Sequence, residues 1–338
     1  MTNPSTVKPN NIKRAVSFYS FQQEYLLRQM TLEDCVAVSE KLDIPGIEIV
    51  TEQMVPGFPK VPDSFFEQWH GWMEKYGRTP VCHDQFLDMN LYKGRMMTED
   101  EMVESMLRDI KFAHRLGCTV IRVIVDTPPE VIARSAPYAE EYNVKLGLEI
   151  HAPSHFDAPL IQNQLEMMER VGSPYLGVIP DFGIFVRRLP RILTERWLRD
   201  GMKESIANYV VEARESRTPP EKLEENILKL GGTQKDVATA IYSTYYMIWS
   251  DPRRMLDFMP RILHVHGKFY EMLEDYTEYS IPYDEIIPVL IEGGYNGYIS
   301  SEYEGQYHIQ DAYEVDSVEQ VRRHQVMLKR LLGQDGEE

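Results

Sequence analysis

The stretch LGLEIHAP, Leu146 to Pro153, decides how the whole chain is read. As a β-strand it places Glu149 and His151 two apart, and because side chains alternate along a strand both point to the same side. Burying such groups costs on the order of several kcal/mol unless they are paired or bind a metal. A core strand that spends two positions this way reads as one wall of a metal site.

Working outward from it, short apolar runs rich in β-branched and aromatic residues recur along the chain: AVSFYSF (15–21), GIEIV (46–50), TPVCHDQF (79–86), CTVIRVIV (118–125), KLGLEIHA (145–152), LGVIPDF (176–182), RILHVHGKF (261–269) and GYISSEY (297–303). Between them lie amphipathic stretches with helix punctuation. TLEDCVAVSEKL (31–42) opens on a Thr31 cap with Asp34 three residues on. TEDEMVESMLRDIKFAHRLG (98–117) has an acidic first turn, a face of Met102, Met106 and Ile110, and a closing Gly117. APLIQNQLEMMERVG (158–172) and VDSVEQVRRHQVMLKRLL (315–332) follow the same pattern. Strands alternating with helices predict βαβ units and a parallel sheet, and eight such units predict a (β/α)8 TIM barrel.

One connection breaks the rhythm. Residues 186–260 separate the sixth and seventh strands and carry helical patterns at 197–214 and 221–231, then the aromatic run IYSTYYMIW (241–249). This helical insertion between strands 6 and 7 is expected to be a lid over the site or a partner-docking face. The first eleven residues, MTNPSTVKPNN, read as a loose arm on a single barrel domain. Trp69, Trp72 and Met73 lie on a predicted helix as core residues.

With 338 residues, 43% of them hydrophobic, the chain can bury a large core. Its 36 basic and 53 acidic residues give a net charge of −17, which argues against nucleic acid or an anionic membrane surface as partner. No long apolar run or charged-then-apolar leader stands out, so neither a spanning helix nor a signal peptide is expected. Cys35, Cys82 and Cys118 are far apart in apolar surroundings, which suits reduced thiols in a cytoplasmic protein.

Barrel active sites lie at the C-terminal ends of the strands. Strand five offers Glu149 and His151, strand six Asp181, strand seven His264, His266 and Lys268, and strand eight Glu302 and Glu304. Four neighbouring strands thus bring oxygen or imidazole ligands to one rim. A mixed site of three carboxylates and one imidazole suits Mn²⁺ best, with Mg²⁺, Co²⁺ or Fe²⁺ also compatible, and differs from a closed structural zinc. His83, Arg122 and Tyr19 are further interior-facing candidates for substrate contact; plainer roles are inter-strand hydrogen bonding for His83 and a core ion pair for Arg122. The acidic, aromatic tract MLEDYTEYSIPYDE (272–285) is expected at the rim.

In order and spacing, GLEIH, IPDFG, HVHGK and YISSEYEG resemble the strands of the xylose isomerase-like sugar phosphate isomerase/epimerase superfamily. That resemblance covers nearly the whole barrel and implies a divalent metal held by Glu149, Asp181, His266 and Glu302, with His264 a buried neighbour. In epimerases of this group the ligating glutamates, here Glu149 and Glu302, shuttle the proton. The chain departs from them where a His usually follows the strand-six Asp by three residues, since Ile184 and Phe185 are apolar, and in the insertion at 186–260. FYSFQQEYLLRQMTLEDC (18–35) and GLEIHAPSH (147–155) are similar to a narrower branch, the catalytic (alpha) subunits of bacterial C-glycoside deglycosidases. That likeness implies cleavage of the C–C bond of a 3-oxo-C-glycoside by enolisation and elimination. His151 would be base or acid, Lys268 would stabilise the oxyanion with Glu304 tuning it, or would simply pair with Glu304. A small β-rich second subunit would join the chain in a hetero-oligomer; self-association through the insertion would favour the isomerase/epimerase alternative. A DNA-repair endonuclease of the same superfamily would need a basic groove, and a scaffold without chemistry would not need all four ligands.

Overall fold

The computed structural model describes residues 9–335. Most of the polar arm expected at 1–11 therefore lies outside the described residues. Eight parallel strands run β1 (Lys13–Ser17), β2 (Gly46–Val50), β3 (Thr79–Gln85), β4 (Val120–Val123), β5 (Lys145–Ile150), β6 (Leu176–Pro180), β7 (Val265–Phe269) and β8 (Tyr298–Tyr303). Neighbours pair in the order β6-β5-β4-β3-β2-β1-β8-β7. Helices lie between the strands, so this is the (β/α)8 barrel. Its circle closes between β6 and β7 through two isolated parallel bridges, Val178 to Ile262 and Asp181 to His266, with a hydrogen bond from Leu263 N to Val178 O of 3.0 Å.

Two apolar bodies sit on opposite sides of the strands. The larger fills the space between sheet and helices and includes Ile47, Ile49, Ile121, Leu146, Leu148, Ile150, Phe269 and Ile299. A smaller one plugs the barrel, where Ala15, Cys82, Val120 and Ile179 pack with Leu263 and Tyr298. This plug needs small residues opposite large ones. A Cβ on Gly147 would lie 2.6 Å from Ile179 Cγ1, and one on Gly177 would lie 2.3 Å from the backbone oxygen of Arg261. The inward positions of LGLEI are therefore Gly147, which makes room for the plug, and Glu149 above it.

Several boundaries differ from those expected. The first strand stops at Ser17, whose side chain accepts a hydrogen bond from Tyr19 N and starts a tight turn over Phe18–Phe21. β5 stops at Ile150; the last ladder bond is Asp181 N to Ile150 O, and Pro153 has no N–H to prolong the ladder. The helix expected at 197–214 is two helices, Arg191–Arg199 and Glu204–Glu215, broken at Gly201, whose φ of +95° suits glycine. Further helices in the insertion are Pro220–Lys229 and Gln234–Tyr246, and Trp249 pairs with Phe185 in an isolated antiparallel bridge. On the Asp63–Tyr76 helix Trp69 and Met73 are buried while Trp72 is partly so.

The two glycines of the plug differ in what they face. A methyl at Gly147 meets a side chain that can turn away, whereas a methyl at Gly177 meets a backbone carbonyl that cannot. Gly147→Ala is expected to cost about 1–3 kcal/mol and Gly177→Ala more, by the usual cost of overpacking. Urea unfolding of both variants checks the order; equal stabilities would contradict it.

Candidate metal centre

Above the plug the inward side chains become ionisable. One ligand atom each from Glu149, Asp181, His266 and Glu302 lies within 4.8 Å of the others, and all four residues are buried. His266 Nδ1 is 2.7 Å from Glu149 Oε1 and 3.4 Å from Glu302 Oε2. Asp181 Oδ1 accepts a 2.6 Å bond from Gly183 N, which leaves Oδ2 for the cluster. Glu302 Oε2 is buried without a hydrogen bond, and Asp181 Oδ2 is buried with only the Lys268 ammonium, 3.0 Å away, beside it. Buried oxygens short of partners are costly, and here they converge with an imidazole nitrogen. The donor set fits a divalent cation, and it is the set the superfamily resemblance implied.

His266 is aimed from behind. Its Nε2 lies 3.1 Å from Glu48 Oε1, and the other oxygen of Glu48 is 2.7 Å from His264 Nε2. Burial opposes ionisation of Glu48, yet His266 and His264 hold its carboxyl well below the usual range. Burial likewise opposes a charge on His266, but Glu48, Glu302 and Glu149 raise its pKa well above the ordinary value. A carboxylate behind a ligating imidazole fixes the ring and its tautomer.

The cluster carries an excess of negative charge. Glu48, Asp84, Glu149, Asp181 and Glu302 are all buried, and the permanent cations among them are Arg122 and Lys268. Arg122 Nε lies 3.2 Å from Asp84 and 3.7 Å from Glu149. Lys268 Nζ lies 2.7 Å from Glu304, 3.0 Å from Asp181 and 3.7 Å from Glu302. Burial, then the charges of Glu302 and Glu149, push Asp181 well up against the pull of Lys268. Asp84 is pushed up by burial and by Glu48. A divalent ion would relieve this repulsion.

The other expected residues fall in different places. His151 is half-buried just beyond β5, with Nδ1 2.7 Å from its neighbour's carbonyl, Ala152 O. A carbonyl only accepts, so Nδ1 carries the hydrogen and the neutral ring has its lone pair on Nε2. Against its burial, Arg122 and His266 hold the Glu149 carboxyl below its ordinary range, and a protonated His151 would add to that. Tyr19 sits in the turn after β1, with its hydroxyl 3.2 Å from that of Tyr307. Arg122 is a buried ion pair of the carboxylate cluster rather than an open substrate contact. His83 does not face the barrel interior. Its Nδ1 is 3.1 Å from Thr51 Oγ1 and its ring packs near Phe58 and Phe112, on the helix side of β3. Strand alternation turns Asp84 inward and His83 outward. Glu48 and Asp84 were not singled out from sequence; Glu48 is the one ionisable residue of GIEIV and lacks the second, two residues on, that marked Glu149.

The family model of the xylose isomerase-like TIM barrels matches residues 36–188. A 3'-dehydrocarminate deglycosidase alpha subunit from Microbacterium sp is 30% identical in an alignment 334 residues long that covers 94% of this chain and 95% of that protein. A C-glycoside deglycosidase alpha subunit from Arthrobacter globiformis is 30% identical in an alignment 331 residues long that covers 96% of this chain and 93% of its own. This chain belongs to the C-glycoside deglycosidase alpha-subunit family. Among solved structures, D-psicose 3-epimerase from Clostridium cellulolyticum H10, with D-tagatose, superposes with a TM-score of 0.57 at 14% identity, covering 95% of this chain and 99% of that one. That likeness shows the shared barrel fold. Among the described residues no helix is long and apolar enough to cross a membrane.

Two tests follow from this geometry. Glu302→Gln is expected to remove a ligand and sharply reduce bound metal, while Glu48→Gln, which acts behind His266, is expected to weaken metal affinity by about 10- to 100-fold. Metal content by mass spectrometry and a metal titration distinguish these from wild type, and full retention in Glu302→Gln would refute the ligand set. Separately, burial, with Arg122 and Arg108, lowers the pKa of His83 to about 3. The unfolded chain therefore takes up a proton there below its ordinary value of about 6.5 that the folded chain refuses. The resulting stability is present above pH 6.5 and is lost as pH falls towards 3, by on the order of 2 kcal/mol between pH 6.5 and 4.5. His83→Gln should flatten that part of a pH series of denaturation midpoints; an unchanged slope would count against it.

Proposed function

We propose that this chain is the metal-dependent catalytic subunit of a C-glycoside deglycosidase, cleaving the C–C bond between the anomeric carbon and the aromatic aglycone of a 3-oxo-C-glycoside. The observation that carries this reading is the buried Glu149–Asp181–His266–Glu302 cluster in a chain alike end to end with deglycosidase alpha subunits. The ketone makes the C2 proton acidic and places the aryl group at C1, where it can leave as the enolate collapses. The C2–H and C1–aryl bonds break, C1=C2 forms, and a proton ends on the aryl carbon.

Glu149, Asp181, His266 and Glu302 would hold the ion, with Mn²⁺ the best match to three carboxylates and one imidazole. Bound there, it would supply Lewis-acid polarisation of the ketone and a neighbouring hydroxyl oxygen. His151, with its lone pair on Nε2, takes the C2 proton and returns it to the departing aryl carbon. Glu149 stabilises the imidazolium formed in between. The ammonium of Lys268 steadies the negative charge growing on the sugar oxygen, and Glu304 holds that ammonium in place at 2.7 Å. Tyr19, beside Lys268 and Glu304, bounds the sugar at the rim.

A second subunit completes the enzyme, as the relatives' designation as alpha subunits suggests, and the family resemblance implies that it is small and β-rich. The three cysteines are unpaired and buried, which suits a cytoplasmic setting. Where epimerases of this barrel usually carry a His, buried Ile184 and Phe185 stand instead, which disfavours free-ketose epimerisation.

An NMR time course in D₂O tests the reading. The chain, with Mn²⁺ and its companion subunit, is expected to release aglycone from a 3-oxo-C-glycoside, and His151→Ala to lower the rate by about 10²- to 10⁴-fold, the usual worth of a general acid–base group. Deuterium incorporation or epimer formation from a free ketose, with the glycoside intact, would reassign the protein to the isomerases.

A further inference from the structure

In a chain of net charge −17, two neighbouring arginines of the insertion have no carboxylate between them. Arg214 stands on the last turn of the Glu204–Glu215 helix. Arg217 follows in the turn that ends it, at φ +52°, where glycine is the usual residue. Among the described residues neither forms an ion pair. Arg214 Nη2 donates to Val186 O at 2.8 Å, while its Nε is buried with no partner. Burial, then the charge of Arg217, lowers the Arg214 pKa to about 10, so it stays charged at neutral pH. Adjacent like charges repel, and a guanidinium N–H without an acceptor adds to the cost. What would relieve both is an anion.

Both arginines line a cavity of about 360 Å³, a size that suits a small organic ligand. Leu223, Ile248 and Trp249 give it an apolar wall. Trp249 gathers the charge: the guanidinium carbons of Arg217, Arg187 and Arg214 lie 4.2, 5.7 and 5.9 Å from its ring. Of these three only Arg187 is neutralised, by Glu285. Glu215 and Asp251 line the adjoining cavities but not this one. The pocket is built wholly from the insertion at 186–260, and no residue of the metal cluster lines it.

We infer that this cavity binds an organic phosphate monoester, its phosphate held between the guanidiniums of Arg214 and Arg217 and its organic part laid on the wall of Leu223, Ile248 and Trp249. Two unneutralised guanidiniums match a dianion better than the single charge of a carboxylate. Each presents forked N–H donors in the geometry that phosphate oxygens accept. The apolar wall and the volume go beyond what a bare phosphate ion fills. This site stands apart from the deglycosidase reading and needs none of its residues.

Phenyl phosphate, inorganic phosphate and benzoate, each titrated calorimetrically into the full chain with and without Mn²⁺, test this. Phenyl phosphate is expected to saturate, with the same affinity whether or not Mn²⁺ is present. Inorganic phosphate should bind about threefold more weakly or worse, for want of the apolar wall. Benzoate should lose about tenfold or more, for want of the second charge. Arg214→Gln and Arg217→Gln should each weaken phenyl phosphate by about tenfold or more, the usual worth of a charged hydrogen-bonding partner. Arg217 is exposed, so Arg217→Gln carries the test if Arg214→Gln fails to fold. Arg170→Gln removes the same charge from an exposed pair with Glu130 and should leave binding unaltered. No saturable binding, affinity retained in Arg217→Gln, or an equal loss in Arg170→Gln overturns the proposal. Inorganic phosphate or benzoate binding as tightly as phenyl phosphate overturns the ester as ligand. Strict dependence on Mn²⁺ would move the phosphate to the metal centre and overturns the site.

Discussion

The interior of this barrel is organised by an excess of buried negative charge. Five carboxylates, Glu48, Asp84, Glu149, Asp181 and Glu302, share a space with Arg122, Lys268 and two imidazoles. In a low-dielectric interior like charges at such separations repel strongly, and desolvation adds to the cost. Arg122 settles between Asp84 and Glu149, Lys268 between Asp181 and Glu304, and Glu48 between two histidines. These pairings occupy the cations from behind and from the rim. The inner oxygen of Glu302 is left without a hydrogen bond, 3.4 Å from His266 Nδ1, and that of Asp181 has only the Lys268 ammonium, so the cluster stays short of positive charge. A centre with this leftover demand is built for a cation.

Much of this was legible in the sequence because a strand has a period of two and a barrel has only two sides. Glu149, Asp181, His266 and Glu302 stand at strand ends, and alternation is enough to put them on one face. The same rule, applied strictly, also separates Asp84 from His83. Attention to the histidine, the chemically richer residue, obscured that only its neighbour points inward. Glu48 was hidden in GIEIV, where apolar neighbours made it look like one polar residue in an ordinary strand. Its importance depends on His264 and His266, more than two hundred residues away, and no local pattern carries that pairing.

The failures at element ends have a different origin. Ser17 and Pro153 end strands through local hydrogen bonding and a missing N–H, and runs of apolar residues do not register either event. At Gly201 the helical periodicity continues across a backbone that reverses through a positive φ. Amphipathic spacing reports which face is buried but is silent on whether the axis is continuous. The long connection at 186–260 was evident from its length, while its division into separate helices was not.

That connection joins the two strands between which the barrel is least tightly closed. β6 and β7 lack a continuous ladder and meet through Val178–Ile262 and Asp181–His266. The second of these bridges pairs two of the four candidate ligands through their backbones. Closing the barrel and assembling the site are therefore one event: whatever parts β6 from β7 draws Asp181 away from His266. Gly177 stands at the same seam, and its missing side chain lets the Arg261 carbonyl approach β6. A cation drawn to both side chains would tie the seam where the backbone ties are fewest. The insertion is tied back to the segment after β6 by the Phe185–Trp249 bridge. Fold and site thus share their weakest link, and ligands bound there stabilise both, because anything that binds only the closed form shifts the balance towards it.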